Sequence, residues 1–378
     1  MRRYSLSVSI LALGGLLSTA APALGAPKVV TSIKPVHSLV AGVMQGIGEP
    51  TLLIKSGGSP HSYSLRPSEA KALQDADLVF WVGDGIETFL EKPLESLAEA
   101  DKVVTLSEAK NVALLEFREG AAWDAHDHGE HGDHADEEHD HDEHAEAKHD
   151  HDHDDHDHDE HAEHDHDEHD HDEHAEAEHD HDDHDHDEHA EGGHDGHDHD
   201  GHDHGDHDMH VWLDPHNAEA IVQAAVAALQ KADAANAARY AENGEAVIAR
   251  IDAMDADLQV KLASVKDAPY LVFHDAYQYF EAHYGTRAVG SITVTPERTP
   301  GAKRIAELRD KIEDAGAVCV FSEPQFEPAL VATLVEGTDA KTGVLDPLGA
   351  ELAAGPDAYF ELMEDLAGSL VTCLKPTT

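Results

Sequence analysis

The chain has 378 residues, with 79 Asp and Glu against 25 Lys and Arg, a formal net charge of −54, 35 His and only 2 Cys. That much negative charge excludes a nucleic-acid binder, which needs cations to neutralise phosphates, and disfavours an anionic membrane surface as partner. The charge is concentrated: residues 124–208 hold 40 acids, 29 His and one lysine (Lys148), a charge of −39, leaving −15 on a mildly acidic remainder. That remainder is long enough for two domains of about 100–150 residues.

Residues 1–26 read as a secretory signal peptide: Arg2 and Arg3 precede an apolar run over 6–17, and small residues lead to cleavage near Gly25 or Ala26. The run is short for a membrane span, and no Cys stands at the cleavage region to carry a lipid anchor. The mature protein is expected to be soluble and exported, most simply to a bacterial periplasm. In that oxidising setting Cys319 and Cys373 can form one disulfide; two unpaired buried thiols are the other reading.

From Pro27 the pattern alternates strand and helix. Strands are predicted over 28–33, 51–54, 78–82 and 102–106, and helices over 36–44, 66–75 and 86–97. The run Leu-Val-Phe-Trp-Val at 78–82 is apolar throughout, as in a parallel sheet covered on both faces. After the acidic tract, 210–213 reads as a short strand and 217–231 as a helix. Residues 234–265 read as one long helix, with Tyr240, Val247, Ile251, Met254, Leu258 and Leu262 at helical spacing and Gly244 as the interruption. The alternation then resumes, with strands at 270–273, 288–292, 318–322 and 342–345 and helices at 275–284, 302–315, 328–336 and 357–370. The expected architecture is α/β: an N-terminal lobe over 27–232, a linking helix over 233–265 and a C-terminal lobe over 266–378.

The tract 124–208 is of low complexity and partly duplicated, 139–148 recurring almost unchanged at 169–178. It has almost no apolar side chain larger than Ala, so it cannot build a core and is expected to be a disordered insertion in the first lobe. An inert solubilising linker is one reading. The 29 His favour another, in which neutral imidazoles of His-x-His pairs chelate borderline divalent metals weakly as an antenna, buffer or sensor.

Six His lie outside the tract, and three fall in loops that follow apolar strands or open the run into Asp214-Pro215: His61, His210 and His274. Asp346 occupies a fourth loop of this kind, and three imidazoles with a carboxylate make a plausible zinc set. His37 is expected to be solvated or capping, His216 to orient its loop or face water, and His283 to favour a helix C-terminus. Asp214 is a candidate to orient a ligand histidine. No HExxH and no Gly-x-Ser-x-Gly occurs, so a zinc hydrolase is disfavoured and no enzyme is expected.

The segments TSIKP (31–35), HSYSLRPS (61–68), DLVFWVG (77–83), HVWLDP (210–215), FHDAY (273–277), FSEPQF (321–326) and LDPLG (345–349) carry a resemblance. With them the chain resembles the periplasmic zinc-binding receptors of high-affinity ABC uptake systems, in the metal-binding cluster A-I of solute-binding proteins. The resemblance implies two (βα)4-type lobes joined by a long rigid helix, with metal in the interlobe cleft. It implies His61, His210 and His274 as metal ligands, Asp346 as a direct or water-shared fourth, and a Cys319–Cys373 disulfide. Zn2+ would be transported cargo. The partners implied are an ABC permease membrane subunit and a periplasmic zinc chaperone, the receptor itself being a monomer. Some zinc receptors place a Glu before the first His, where this chain has Pro60. A periplasmic zinc store, with the tract as its functional part, is the alternative.

Overall fold

The computed structural model describes residues 25–55, 57–118, 207–293, 300–326 and 329–375. The signal peptide, apart from Gly25 and Ala26, and the tract, apart from its last two residues, lie outside the described residues. All the described residues fall in one compact unit formed by 1–126 and 202–378.

In chain order the first half runs β1 (Val29–Thr31), α1 (Lys34–Val43), β2 (Thr51–Leu52), α2 (Pro67–Gln74), β3 (Leu78–Trp81), α3 (Thr88–Leu97), β4 (Val103–Thr105) and β5 (Leu115–Glu116). Then come β6 (His207–Asp208), a 3₁₀ turn (Val211–Leu213), α4 (Pro215–Ala232) and α5 (Ala237–Leu262). The remainder is β7 (Tyr270–His274), α6 (Gln278–Tyr284), β8 (Ala288–Thr293), α7 (Ala302–Asp314), β9 (Cys319–Ser322), α8 (Ala329–Val335), β10 (Lys341–Val344) and α9 (Ala358–Leu374).

Two four-stranded sheets result, with orders β2-β1-β3-β4 and β10-β9-β7-β8, and every pairing within them is parallel. Parallel strands need crossover helices on their faces, which is why β3 and β7 are buried along their whole length. In each sheet the strand order reverses beside the central pair, so loops at the carboxyl ends diverge and leave a crevice. In the second sheet the strands flanking that point are β7 and β9, one ending at His274 and the other leading directly into Glu323.

Three expectations from sequence change. Residues 210–213 form a 3₁₀ turn, with Leu213 N–H donating to the His210 carbonyl at 3.1 Å. Val211, Trp212 and Leu213 are all buried, and a fully covered three-residue apolar run carries no period to separate turn from strand. The tract also ends in structure: His207–Asp208 pairs antiparallel with Leu115–Glu116. Tyr279 bridges that ladder, accepting from Leu115 N–H at 2.9 Å and donating to the Asp208 carbonyl at 2.6 Å. Finally, His37 is buried in α1, its Nε2 at 3.2 Å from the Pro50 carbonyl, to which it donates, and burial lowers its pKa.

Helix α5 is 26 residues long, about 39 Å at 1.5 Å per residue. Its buried seam is Tyr240, Gly244, Val247, Ile251, Met254, Leu258 and Leu262, packed on α4, α1 and α9. One continuous apolar core carries this seam and takes in strands of both sheets, including Val29 and Phe80 of the first and Tyr270 and Phe321 of the second. Gly244, which reads as an interruption in sequence, is where α4 approaches: a Cβ there would lie 2.4 Å from Cγ2 of Val226. The Cys319–Cys373 disulfide is formed and ties β9 to α9 across 54 residues. On the chain-entropy account a loop of that length contributes about 4 kcal/mol.

Gly244→Ala should therefore lower stability. Helix propensity alone would raise it by about 1 kcal/mol, but overpacking against the stiff β-branched Val226 costs about 1–3 kcal/mol. A urea midpoint below wild type, with an unchanged slope, is the expected result.

Candidate metal centre

Each histidine arrives on a different element. His61 sits in the Gly57-Gly58 loop after β2, His210 opens the 3₁₀ turn that runs into α4, and His274 ends β7. Together they present one ligand atom each within 4.8 Å of one another. Ring centroids are 5.6 Å apart for His61–His210 and His61–His274, and 5.2 Å for His210–His274. The three line a cavity of about 10 Å³ together with Glu323, Gln325 and Phe326, room for one water-sized occupant.

Two rings are clamped from behind. His210 Nδ1 donates to Asp208 Oδ1 at 2.7 Å, and His274 Nδ1 donates to Glu323 Oε1 at 2.6 Å. Each carboxylate oxygen also accepts the backbone N–H of the histidine it holds, at 3.0 and 3.3 Å. With Nδ1 protonated, Nε2 is left as a lone pair in both rings. Those two Nε2 atoms face each other at 3.4 Å. Tetrahedral zinc with bonds of 2.0–2.1 Å requires ligand nitrogens about 3.3–3.4 Å apart. Two facing lone pairs repel, and a cation between them turns the same geometry attractive.

The electrostatics suit a divalent guest. Burial, with His274 nearby, holds His210 well below its ordinary pKa, so its nitrogen stays free of a competing proton. Burial also lifts Asp208 to about 7. For His274 burial opposes charge, but Glu323, with Asp275 and Asp208 behind it, outweighs burial and the net direction is upward. Asp208 and Glu323 are 0% and 3% exposed, and a 2+ ion would balance their two negative charges. Around them, Arg118 pairs with Asp275, next to His274, and with Glu281 at 2.8 Å.

Asp346 stands apart from the triplet. Its Oδ1 accepts from Gln325 Nε2 at 2.9 Å and Leu348 N–H at 3.1 Å, and its Oδ2 from Ala350 N–H at 2.5 Å. The loop it organises is pinned by Lys34 of α1, whose Nζ donates to the carbonyls of Gly349, Ala350 and Leu352. Asp214 does not orient a triplet histidine: its Oδ1 accepts from His216 N–H at 2.7 Å and caps α4. The orienting carboxylates are Asp208 and Glu323, which sequence reasoning missed. Asp208 is one acid among the 40 of the tract, and its only signal is the i, i+2 spacing to His210. Trp212 lies 5.3 Å from the His210 ring and donates Nε1–H to the Pro347 carbonyl at 2.8 Å.

Parallel α/β sheets carrying two ring-clamped histidines, one at a strand end and one at the head of a buried turn, fit a metal-binding protein. The family is specific: residues 29–373 match the zinc-uptake complex component A, periplasmic (ZnuA), and the chain belongs to that family. A high-affinity zinc uptake system protein ZnuA of Brucella suis is 48% identical over 347 residues, covering 92% of this chain and 91% of that protein. The corresponding protein of Paracoccus denitrificans is 37% identical, covering 97% and 98%. Among solved structures, the periplasmic zinc-binding protein TroA of Treponema pallidum superposes with a TM-score of 0.64 at 18% identity, covering 93% of this chain and all of that one, a likeness of fold.

Glu323→Gln separates the carboxylate's two effects. Removing an orienting partner typically costs 10–100-fold in metal affinity, so at mildly alkaline pH zinc binding should weaken by about that factor. His274 with its raised pKa is protonated below that pKa, so in the wild type zinc affinity is lost as pH falls through it. Without Glu323 the largest upward influence is gone and burial is opposed only by the charges of Asp275 and Asp208, so His274 titrates lower and the acid limb should move to lower pH. Chelator-competition titrations across about pH 5–8 read both effects.

Proposed function

We propose that this chain is a periplasmic zinc receptor that captures Zn2+ through His61, His210 and His274 and delivers it to the membrane subunit of an ABC permease. The observation that carries the reading is the 3.4 Å approach of two carboxylate-clamped Nε2 atoms in a cavity of about 10 Å³. No bond of the cargo is made or broken covalently, so the protein is not an enzyme; binding and docking do the work. The fourth position falls to water, with Asp346 reaching it through the Gln325 amide that touches both the cavity and the carboxylate.

In this reading the sheet of 27–232 and the sheet of 266–378 are two lobes. The helix of 233–265 is the stiff element that limits their closure on the metal. The receptor works as a monomer, exported by its signal peptide, and accepts zinc from solution or from a periplasmic chaperone. The tract gathers zinc weakly as an antenna, buffer or sensor. Its stems support such a coupling, because the β5–β6 ladder that closes 117–206 carries Asp208 in one strand and leads directly to His210.

The test compares wild type with a His61→Ala, His274→Ala double variant by calorimetry and by growth. The variant should lose the tight one-to-one step, keep the weak multi-site step of the tract, and fail to restore growth in zinc-chelated medium to cells lacking their own receptor. Survival of the tight step would remove the assignment.

A further inference from the structure

We infer that Asp214, His216 and His283 form a second site for a borderline divalent cation such as Zn2+, separate from the triplet and open to solvent. One ligand atom from each lies within 4.8 Å of the others. His216 Nδ1 is 3.4 Å and His283 Nδ1 3.7 Å from the same Asp214 Oδ1, and the two ring centroids are 5.0 Å apart. These separations are long for hydrogen bonds and close to the ligand–ligand edge of a tetrahedral zinc shell, about 3.3–3.4 Å.

The decisive feature is how His283 is held. Its Nε2 donates to Asp255 Oδ1 at 2.7 Å, which leaves Nδ1 as the lone pair facing Asp214 and His216. This repeats the clamp of the buried site with the ring reversed: there Nδ1 is held and Nε2 offered, here Nε2 is held and Nδ1 offered. A histidine placed only to interact with a helix C-terminus needs neither that carboxylate nor that orientation.

Rigid elements supply every part. Asp214 caps α4, His216 lies in its first turn, His283 in the last turn of α6, and Asp255 in α5. Around the site the field is negative. Glu219 has a raised pKa, chiefly through burial and then through Asp252, with Asp255 adding to the rise and His216 opposing it. A cation would relieve that crowding. The His216 side chain is 71% exposed and that of His283 9%, so one ligand faces incoming ions while the other is fixed. Three protein ligands with water completing the shell should bind more weakly than the buried triplet. A single 3₁₀ turn separates Asp214 from His210, which puts the two sites at opposite ends of one short segment.

The test is residue-resolved carbethoxylation of the full-length protein by diethylpyrocarbonate, followed by peptide mass spectrometry along a zinc titration. The triplet should be protected first and His216 at higher free zinc, in a saturable step. His283→Gln, whose amide can still donate to Asp255, should raise the zinc needed to protect His216 by about tenfold or more, leaving triplet protection unchanged. Asp255→Asn should shift it the same way by less. In the His61→Ala, His274→Ala background the His216 step should persist, so failure of the buried site and failure of this one read differently. A His216 reactivity that zinc does not change, or protection that neither His283→Gln nor Asp255→Asn moves, would overturn the inference.

Discussion

Two imidazole lone pairs held 3.4 Å apart, each ring fixed at its far nitrogen by a buried carboxylate, set the terms for everything around them. Left to themselves the rings would turn away or share a proton. The carboxylates forbid the first by accepting both the ring and the backbone N–H of the histidine they hold. Burial works against the second at His210 by penalising its charged form. Burying Asp208 and Glu323 is itself unfavourable, and such an arrangement persists only where a compensating charge belongs. A divalent ion would supply it.

The fold exists to hold that contact. His274 and Glu323 are 49 residues apart, yet β7 and β9 are neighbours at the point where strand order reverses, so the two side chains emerge together. Asp208 and His210 are brought in by a different device, the β5–β6 ladder, bridged by the Tyr279 hydroxyl. Arg118 joins the other stem of the ladder to Asp275 and Glu281. The two stems that flank residues 117–206, Leu115–Glu116 and His207–Asp208, therefore meet at the base of the site.

Most of the scaffold was legible in the sequence because its signals are local. The runs at 78–82, 270–273 and 318–322 read as strands, the first as one covered on both faces, and the seam of α5 showed its helical spacing. The three histidines singled out in the sequence do come together, His61 from the loop after β2, His210 from the head of a buried turn and His274 from the end of β7; the roles expected of them rest on the family resemblance. What stayed hidden depends on tertiary neighbours. Nothing local marks Glu323 as the partner of His274, and Asp208 is masked by a surrounding tract of the same composition. His37 is buried because α1 is covered on almost every side, a property of the helices around it rather than of its own pattern. Gly244 looked like a flaw in a helix and proved to be the contact that lets α4 and α5 approach.

The overall charge of −54 thus separates into a tract that accounts for most of it and a body whose few important acids are buried beside histidines. The most direct measurement of the central claim is zinc-edge anomalous diffraction from crystals of the protein carrying one equivalent of Zn2+. A dominant peak is expected about 2.0–2.1 Å from the Nε2 atoms of His210 and His274, with His61 as third ligand. A dominant peak elsewhere, with those two nitrogens uncoordinated, would contradict it.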